Sequence, residues 1–405
     1  MDHADYSLRE RFGAMQIALT GATGFLGSAL ASQFLKAGCS VLALVRSDAN
    51  GFRTRKAIAS ACLGLGGDPA AIDWSRLVVR ELHIDANGCN LDPEEIAGVT
   101  CVWHAAAEMS YNAAQLAASF GQNVGATLAL YQLFAAHAPL CERFYYVSTA
   151  YTAGFDTVDV GEDLHLAPRV INVYQASKWA AELSLSTAQR TSRLPLTIFR
   201  PSIIVGDEKS GWYGVKEFGM YSICRGLYEL AARGAKEITM EIGDQSTLNM
   251  IPINRVVAYA LALTRHPRAE VPLEILHATA ADAFPLGAAL TLAGRILKVS
   301  IQAGQAISSL DRVFARSVRD NHQFAQGRWR FATTQLAIAI GPDFQPYRLD
   351  VRTLERLIVS FLATLPSPEV LQAKAQQSQV PKPLSLWTRL SIISWRHLLQ
   401  RGKNH

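Results

Sequence analysis

The sequence predicts an α/β fold, in which a doubly wound parallel sheet is followed by a smaller C-terminal α/β domain. Short runs rich in β-branched residues alternate with longer helical patterns through the first 200 residues. This alternation is typical of parallel strands joined by crossover helices. The 405-residue chain is 49% hydrophobic and 18% charged, so it can fill a large core and is not a disordered protein.

The predicted elements follow the order that a repeated strand–helix unit requires. Strands are predicted at 15–20, 41–46, 77–82, 100–105, 143–148 and 195–200. Helices are predicted at 24–37, about 112–137 and 173–190 and, in the less regular part after residue 205, at 215–233, 254–266 and 352–364. We therefore assign 15–205 to the sheet domain and 206–373 to a substrate-binding domain, and leave open whether elements near 248–280 return to the first.

The two ends of the chain carry mostly polar and charged residues. Residues 1–14 form an N-terminal extension without an apolar run, so we expect a cytoplasmic protein with no signal peptide. Residues 374–405 comprise a polar linker and a basic amphipathic segment, and 301–405 contain 14 Lys and Arg against 6 Asp and Glu. This excess is either a solvated surface or a site for an acidic carrier, for coenzyme A phosphates or for peripheral contact with an anionic membrane. No motif points to nucleic acid.

Cysteine and histidine spacing does not suggest a metal site. The six cysteines include no C-x-x-C pair, and the ten histidines include no H-x-x-x-H. We therefore expect neither a metal nor a disulfide framework.

A glycine-rich turn follows the first predicted strand. Its sequence, TGATGFLG, has glycines spaced as G-x-x-G-x-x-G. Gly21 would let the chain turn, Gly24 would let the backbone approach a pyrophosphate, and Gly27 would let the helix pack closely. The helix N-terminus then presents N–H groups to the phosphates, which favours a dinucleotide site over an ordinary turn. The candidate contacts are Thr20, Gly21, Thr23, Gly24, Phe25, Leu26 and Gly27.

The end of the second predicted strand indicates which dinucleotide binds. NAD sites usually have an acidic residue there, whereas this chain has Arg46, with Arg53 and Arg55 close behind. A guanidinium can bind a 2′-phosphate through two hydrogen bonds, and a carboxylate would repel it. The sequence therefore predicts NADPH as cofactor; the alternative is that Arg46 is an ordinary solvated residue.

Tyr174 and Lys178 form a Y-x-x-x-K pattern at the start of a predicted helix. Residues four apart share a helix face, so the phenol and the ammonium can point into one site. The ammonium would lower the pKa of the phenol and make it a general acid or base. Ser148 and Thr149 end a strand upstream, at the sheet edge where parallel folds bind ligands. This context favours a catalytic pair over a chance surface pair.

Together these motifs resemble the extended short-chain dehydrogenases/reductases. In that family's order the chain has the glycine-rich turn, HAAA at 104–107, NVGAT at 123–127, Tyr174 with Lys178, and RPS at 200–202. The resemblance covers roughly residues 15–280. Its finer details, SKWAAE at 177–182 and RPSIIVGD at 200–207, are similar to thioester reductases and fatty acyl-CoA reductases, which include the reductive release domains of nonribosomal peptide and polyketide synthases.

The resemblance implies a Rossmann fold and a larger set of site residues. It makes Thr149 the hydroxyl partner of Tyr174 and Lys178, with Ser148 as the neighbouring alternative. It also implies cofactor contacts at Asp85, Ala105, Ala106, Ala107, Asn123, Ser148, Tyr174, Lys178, Pro201, Ser202 and Ile203. Trp179, Trp212 and Tyr213 are candidates for an acyl pocket, although aromatic residues in such places are more often part of a core.

The implied function is NADPH-dependent reduction of an acyl thioester to an aldehyde or, with a second hydride, to an alcohol. The acyl group would be carried by coenzyme A or by an acyl or peptidyl carrier protein, which we expect the chain to meet in trans. The alternatives are a ketone or aldehyde reductase, a nucleotide-sugar epimerase or dehydratase, and a non-catalytic NADPH-binding module. Arg46 argues against the sugar enzymes, and the intact Tyr174 and Lys178 pair argues against the module.

Overall fold

The computed structural model describes residues 11–85, 88–214, 219–318 and 323–371. The predicted linker and amphipathic segment at 374–405 and residues 1–10 of the predicted extension lie outside these ranges. Within the described ranges, no helix has the length and apolar character needed to cross a membrane.

Seven parallel strands form the central sheet. They are β1 (Gln16–Thr20), β2 (Ser40–Val45), β3 (Leu77–Glu81), β4 (Cys101–His104), β5 (Arg143–Val147), β6 (Leu196–Pro201) and β7 (Leu273–Ala278). Their order across the sheet is β7-β6-β5-β4-β1-β2-β3. All six predicted strands are confirmed. The order reverses between β1 and β4, and doubly wound sheets bind their ligands at such a switch point.

The seventh strand, β7, was missed by the sequence analysis. It lies within the region 248–280 that the analysis left open, and it pairs with β6 along its whole length. Its alternating sequence LEILHA is a normal strand signal, but the irregular second domain separates it from β6. Glu274 of β7 is buried and forms an ion pair with Arg143 at 3.4 Å, which lets a charged side chain lie buried in this edge strand.

The helices cover both faces of the sheet and build the second domain. They are α1 (Phe25–Lys36), α2 (Phe52–Gly64), α3 (Pro93–Ile96), α4 (Leu116–Phe120), α5 (Thr127–His137), α6 (Val173–Gln189), α7 (Met220–Ala232), α8 (Ile253–Arg265), α9 (Leu286–Leu297), α10 (Ser309–Ser317), α11 (Thr334–Ile340) and α12 (Val351–Leu362). Short 3₁₀ turns lie at Pro69–Ala71, Trp74–Arg76, Ala113–Gln115, Ala150–Ala153, Gln323–Gln326 and Gly341–Asp343.

The single helix predicted at about 112–137 is wrong in one respect. A π-helical stretch, Gly121–Ala126, separates α4 from α5. The two glycines of this stretch and the hydrogen bonds made by Asn123 favour the wider turn. Such π-bulges often occur at functional sites, and this one lies beside the N-terminal half of α6.

Five short strand pairs lie outside the central sheet in the described residues. They are Ile203–Val205 with Met250–Pro252, Glu237–Met240 with Ser300–Ala303, Thr247–Leu248 with Phe284–Pro285, Asp159–Val160 with Arg330–Phe331, and Ile84–Asp85 with Gly88–Cys89.

Separate apolar layers fill the interior. One face of the sheet packs against α1 and α8 through residues such as Phe34, Trp103 and Leu263. The opposite face packs against α5 and α6. The second domain has its own core between α7, α9 and α12. Burial on both faces explains why the strands read as continuous apolar runs.

Candidate functional site

The glycine-rich turn has the geometry of a phosphate cradle. Gly21 has a φ of 75°, and a Cβ there would lie 2.9 Å from backbone atoms of Ala105 and Ala106. A Cβ on Gly27 would lie 2.1 Å from the carbonyl oxygen of Gly21. Gly24 is exposed and begins α1 without a side-chain cap, which leaves the first N–H groups of the helix for an anion. The turn therefore fits a dinucleotide pyrophosphate.

Thr20 and His104 hold the two neighbouring strand ends together. The Thr20 hydroxyl accepts a hydrogen bond from Ala106 N at 3.0 Å and lies 2.8 Å from His104 Nδ1. His104 Nε2 lies 2.9 Å from the Thr127 hydroxyl. Burial, together with the nearby Lys178 charge, lowers the pKa of His104 to about 3, so the imidazole is neutral. Thr20 was predicted to contact the cofactor, but it is buried and positions the loop at 105–107.

The other predicted cofactor contacts in the turn and in the loop at 105–107 differ in exposure. Thr23 and Ala106 are exposed, and four others are half-buried: Phe25, Leu26, Ala105 and Ala107. The Phe25 ring packs 5.2 Å from the ring of Trp212, which belongs to the loop after Ile203–Val205. The second domain thus contacts the phosphate turn directly.

Cationic groups are exposed at the end of β2. Arg46 and Arg55 both face solvent. Arg53 donates hydrogen bonds to the backbone carbonyls of Arg46 at 2.7 Å and Ser47 at 2.8 Å, and so orders this loop. The exposed guanidinium groups of Arg46 and Arg55 are suited to a 2′-phosphate.

An acidic residue at this loop, Asp48, was missed by the sequence analysis. It is buried, and its carboxylate accepts hydrogen bonds from Arg53 N, Thr54 N and the Thr54 hydroxyl. Burial raises the pKa of Asp48, but the bonds from Thr54 and Arg53 outweigh it and hold the pKa below its usual value. Because this carboxylate caps the start of α2, it is not presented to a ribose. Asp85, predicted to contact the cofactor, is exposed in the Ile84–Asp85 strand, which contacts the π-helical stretch.

Lys178 points beneath the carboxyl edge of β5. Its Nζ donates a hydrogen bond to the Val147 carbonyl at 2.5 Å and lies 4.2 Å from the centre of the Tyr146 ring. Only 2% of the residue is exposed. Burial lowers the pKa of Lys178 to about 7, although Glu182 acts in the opposite direction. The contacts at Val147 and Tyr146 hold the amine in one orientation.

Tyr174 lies one helical turn before Lys178, half-buried at the same edge. Burial, with Tyr111 as a lesser cause, raises the pKa of the Tyr174 phenol. The expectation that the Lys178 ammonium lowers this pKa is therefore wrong for the protein without ligand. The reason is that Lys178 bonds to Val147 and that burial disfavours its own charged form. The phenol is consequently protonated at neutral pH and is suited to donate a proton.

Asn123 holds the catalytic helix to the loop after β4. Its Oδ1 accepts from Glu108 N at 2.7 Å, and its Nδ2 donates to Glu108 O at 2.8 Å and to the Ser177 hydroxyl at 2.9 Å. Ser177 in turn donates to the Tyr174 carbonyl at 3.0 Å. The sequence analysis predicted a cofactor contact, but the amide is buried and engaged within the protein. The structure gives Asn123 a positioning role.

Hydroxyl groups line the carboxyl ends of β5 and β6. The Thr149 hydroxyl accepts from Tyr151 N at 3.3 Å and caps the turn Ala150–Ala153. The hydroxyls of Ser148 and Ser202 are buried and have no hydrogen-bond partner among the described residues. Buried polar atoms of this kind need a partner, so they fit the polar end of a bound nicotinamide or substrate. Pro201 is buried beside them, and Ile203 is half-buried.

A buried ion pair behind this edge was also missed. Arg200 forms two bonds with Glu182, Nη2–Oε2 at 2.7 Å and Nε–Oε1 at 2.9 Å, with both side chains fully buried. The Thr152 hydroxyl lies within hydrogen-bond distance of two acceptors, Glu182 Oε1 at 3.3 Å and the Thr149 carbonyl at 3.0 Å. Glu182 lies one turn after Lys178 on α6. The sequence signal for this ion pair was an acidic residue four positions after Lys178 in a mostly apolar helix.

A distant tryptophan braces the turn that follows Thr149. The indole Nε1 of Trp329 donates to the Gly154 carbonyl at 2.8 Å. The Trp329 ring lies 5.0 Å from the Tyr151 ring and 4.9 Å from the Phe155 ring. Nothing in the sequence connects residues 175 positions apart, so only the fold could identify this contact.

Two cavities lie outside the candidate site at the carboxyl edge of the sheet. One cavity of about 380 Å³ lies beside Glu162 and Arg268, and another of about 400 Å³ lies beside Arg295 and Lys298. None of the predicted site residues lines either cavity. Within the described ranges, no three His, Cys, Asp or Glu side chains gather into a metal-ligand group.

Two comparisons with known protein sequences found similar proteins. The model of the family described as Male sterility protein matches residues 19–260. A polyketide synthase-nonribosomal peptide synthetase of Aspergillus clavatus is 31% identical over 202 residues, which make up 47% of this chain. The matched part is only 4% of that much longer relative.

Among solved structures, the terminal R domain from the myxalamid PKS-NRPS biosynthetic pathway matches with a TM-score of 0.69 and 19% identity, over 86% of this chain and 91% of that chain. A UDP-glucuronic acid 4-epimerase from Bacillus cereus, in complex with NAD, matches with a TM-score of 0.61 and 16% identity, over 87% of this chain and 97% of that chain. At these identities the two structures show a shared fold.

Proposed function

The chain belongs to the Male sterility protein family, the thioester-reductase-like branch of the extended short-chain dehydrogenases/reductases, and from this premise we propose that it reduces an acyl thioester with NADPH. Members of this family are NAD(P)-dependent oxidoreductases. The observation that carries the proposal is the half-buried Tyr174 at the carboxyl edge of the sheet, one helical turn before the buried Lys178, whose amine is held at the Val147 carbonyl just before Ser148 and Thr149.

Three groups of residues would hold the cofactor. The backbone at Gly21 and Gly24 and the N-terminus of α1 would bind the pyrophosphate. Arg46 and Arg55 would bind the 2′-phosphate, which favours NADPH over NADH. The buried hydroxyls of Ser148 and Ser202 would receive the nicotinamide end.

The bound dihydronicotinamide supplies a hydride to the thioester carbonyl carbon. Tyr174 donates a hydrogen bond and then its proton to the oxygen that becomes negative, and the Thr149 hydroxyl donates a second hydrogen bond to it. Lys178, one helical turn after Tyr174, keeps its amine at the Val147 carbonyl. The carbon–sulfur bond of the resulting thiohemiacetal then breaks, its hydroxyl proton returns to the Tyr174 phenolate as the carbonyl forms, and the leaving thiolate takes a proton from water, so the products are an aldehyde and a free thiol.

The deciding experiment incubates the full chain with NADPH and a panel of acyl thioesters, free acids, ketones and nucleotide sugars. Nicotinamide absorbance and free thiol are measured together. We expect loss of NADPH with release of one thiol per aldehyde formed. Oxidation of NADPH by a ketone alone, or conversion of a nucleotide sugar without thiol release, would contradict the proposal.

The carrier of the acyl group is part of the same proposal. The similarity to a polyketide synthase-nonribosomal peptide synthetase and to its kind of terminal domain favours a carrier protein over coenzyme A. We expect a carrier-bound acyl group to give a lower KM than the same acyl group on coenzyme A. Equal KM values for the two would favour recognition of the acyl arm alone.

A further inference from the structure

Gln175 directly follows the proposed proton donor, Tyr174, and is almost completely buried. It occupies the first of the three unspecified positions in the Y-x-x-x-K pattern, to which the sequence analysis assigned no role. Only 1% of the residue is exposed, although glutamine usually lies at a protein surface. A buried side-chain amide needs partners for both its oxygen and its nitrogen, so its hydrogen bonds identify the segments that it joins.

The amide of Gln175 has a partner at each end. Its Oε1 accepts a hydrogen bond from Ile171 N at 3.1 Å, just before α6 begins. Its Nε2 donates to the Tyr151 carbonyl at 2.9 Å. Asn172 holds the backbone at the same point, because its Oδ1 accepts from Gln175 N at 2.8 Å. Since Ile171 N can only donate and the Tyr151 carbonyl can only accept, these neighbours determine the orientation of the amide.

Tyr151, the residue that Gln175 contacts, is also bonded to Thr149. The N–H of Tyr151 donates to the Thr149 hydroxyl oxygen at 3.3 Å. The carbonyl of Tyr151 accepts from Gly154 N at 3.2 Å in addition to Gln175. The Thr149 hydroxyl therefore uses a lone pair for Tyr151, which leaves its proton available for another acceptor. Gln175 and Thr149 bond to opposite sides of one residue, so the position of α6 is transmitted to the Thr149 hydroxyl.

A second contact joins α6 to the same turn, but it lies farther from Tyr174. Glu182 follows Tyr174 by about two helical turns, and its Oε1 is 3.3 Å from the Thr152 hydroxyl. The Glu182 carboxylate is itself held by Arg200, so this contact fixes the middle of α6. Gln175 is adjacent to Tyr174, and its bond to the turn therefore fixes the end of the helix that carries the phenol.

We propose that Gln175 is a positioning residue that fixes the Tyr174 phenol and the Thr149 hydroxyl relative to each other, so that both donate to the same substrate oxygen. This inference rests on the proposed function and adds a residue that controls the reaction without touching the substrate. Two donors stabilise one developing negative charge only if both lie about 3 Å from it. A misplacement of about 1 Å can lower the rate by up to ~10²-fold.

The test measures kcat and the KM for NADPH in wild type, Gln175→Met and Gln175→Glu, with the best thioester of the panel and between about pH 5.5 and 8.5. Methionine has a similar length but cannot donate to the Tyr151 carbonyl. We therefore expect Gln175→Met to lower kcat by about tenfold and to leave the KM for NADPH unchanged. The matched control is Gln189→Met, because Gln189 is also buried but ends α6 on the opposite side. We expect this control to keep the wild-type kcat.

The variant Gln175→Glu distinguishes positioning from a general loss of packing. A protonated carboxyl group has the shape of the amide and can donate to the Tyr151 carbonyl, whereas an ionised one cannot. Burial raises the pKa of a carboxyl group, so the protonated form is present at the lower end of the pH range. We expect kcat, relative to wild type at the same pH, to approach one at low pH and to fall to the Gln175→Met value as the pH rises. The titratable groups next to residue 175, Tyr174 and Lys178 on α6 and Tyr151 in the turn, are present in both proteins, so their own titrations cancel in this ratio.

A double-mutant cycle tests whether Gln175 acts through Thr149. If it does, Gln175→Met should not lower kcat further in a Thr149→Ala background. Equal losses in both backgrounds would overturn the inference. An unchanged kcat in Gln175→Met would also overturn it, as would a Gln175→Glu variant that stays at the Gln175→Met value at every pH.

Hydrogen exchange separates this inference from the proposed function. Exchange is measured by mass spectrometry on the peptide that covers the turn Ala150–Ala153, in wild type, Gln175→Met and Gln189→Met. Faster exchange in Gln175→Met alone supports the inference even if no thioester is reduced, in which case only the proposed function fails. Unchanged exchange, together with thioester reduction at the wild-type kcat, overturns the inference and leaves the proposed function intact.

Discussion

The two ends of the candidate cofactor site are built in opposite ways. At the Tyr174 end, Lys178 and Asn123 are buried and hydrogen-bonded within the protein. At the adenosine end, Arg46 and Arg55 are exposed, and only the backbone around Arg46 is held in place.

This difference follows from what each end has to do. A group that donates a proton must be held within hydrogen-bond reach of one atom, which requires fixed neighbours and exclusion of water. A phosphate carries its charge over several oxygens, so mobile guanidinium groups can still find it. We therefore expect kcat to fall when a single atom is removed at the buried end. At the exposed end, we expect cofactor affinity to change when a charge is altered.

The strongest test of this difference is the variant Tyr174→Phe, which removes only the phenolic oxygen. We expect kcat to fall by roughly 10²–10⁴-fold, the usual contribution of a general acid, with the Kd for NADPH unchanged by fluorescence titration. Tyr213→Phe is the matched control, since its hydroxyl contacts Thr364 in the second domain. A fully active Tyr174→Phe enzyme would contradict the assignment of the proton donor.

The second prediction concerns the protonation of Lys178 in the cofactor-free protein. Its folded pKa of about 7 is below its unfolded value, so the folded state binds fewer protons above pH 7. Stability relative to Lys178→Met should therefore rise with pH from about 7 upward, at a limiting rate of roughly 1.4 kcal/mol per pH unit. Urea unfolding of both proteins between pH 6 and 9 measures the difference. A difference that is flat or falls across this range would show that the amine stays charged when buried.

The sequence was sufficient for the parts of this site that depend on local pattern. The turn between β1 and α1 needs glycine where a Cβ would collide with neighbouring backbone, as at Gly21 and Gly27, and this leaves a regular spacing. Tyr174 and Lys178 share a helix face for the same local reason. These residues could be found without any knowledge of the fold.

The sequence was not sufficient where the partner is distant in the chain. Asp48 is acidic in a place where acidity suggests NAD, and only its burial and its bonds to Thr54 show that it caps a helix. The pKa direction at Tyr174 depends on burial that no spacing reveals. Trp329 and Gly154 meet because the second domain folds back over the sheet edge. Such contacts follow from tertiary packing, which local propensity does not encode.

The third prediction tests the exposed end. Arg46→Asp should weaken NADPH far more than NADH, because the new carboxylate repels the 2′-phosphate and the old charge-assisted bond is lost. Since such bonds contribute about 1.5–3 kcal/mol, we expect the KM for NADPH to rise roughly 10–100-fold. Arg190→Asp, an exposed change at the far end of α6, controls for net charge. Equal losses with both cofactors would mean that Arg46 does not contact the 2′-phosphate.

The smallest expected effect belongs to the brace at the buried end. Trp329→Phe keeps an aromatic ring against Tyr151 but removes the indole N–H that bonds to the Gly154 carbonyl. A net hydrogen bond contributes about 1 kcal/mol, so kcat should fall only a few-fold while the KM for NADPH stays unchanged. If the brace acts by positioning Thr149, the same change should have no further effect on kcat in a Thr149→Ala background. Equal losses in both backgrounds would instead mean that Trp329 only stabilises the fold, and a lower Tm with unchanged kcat would lead to the same conclusion.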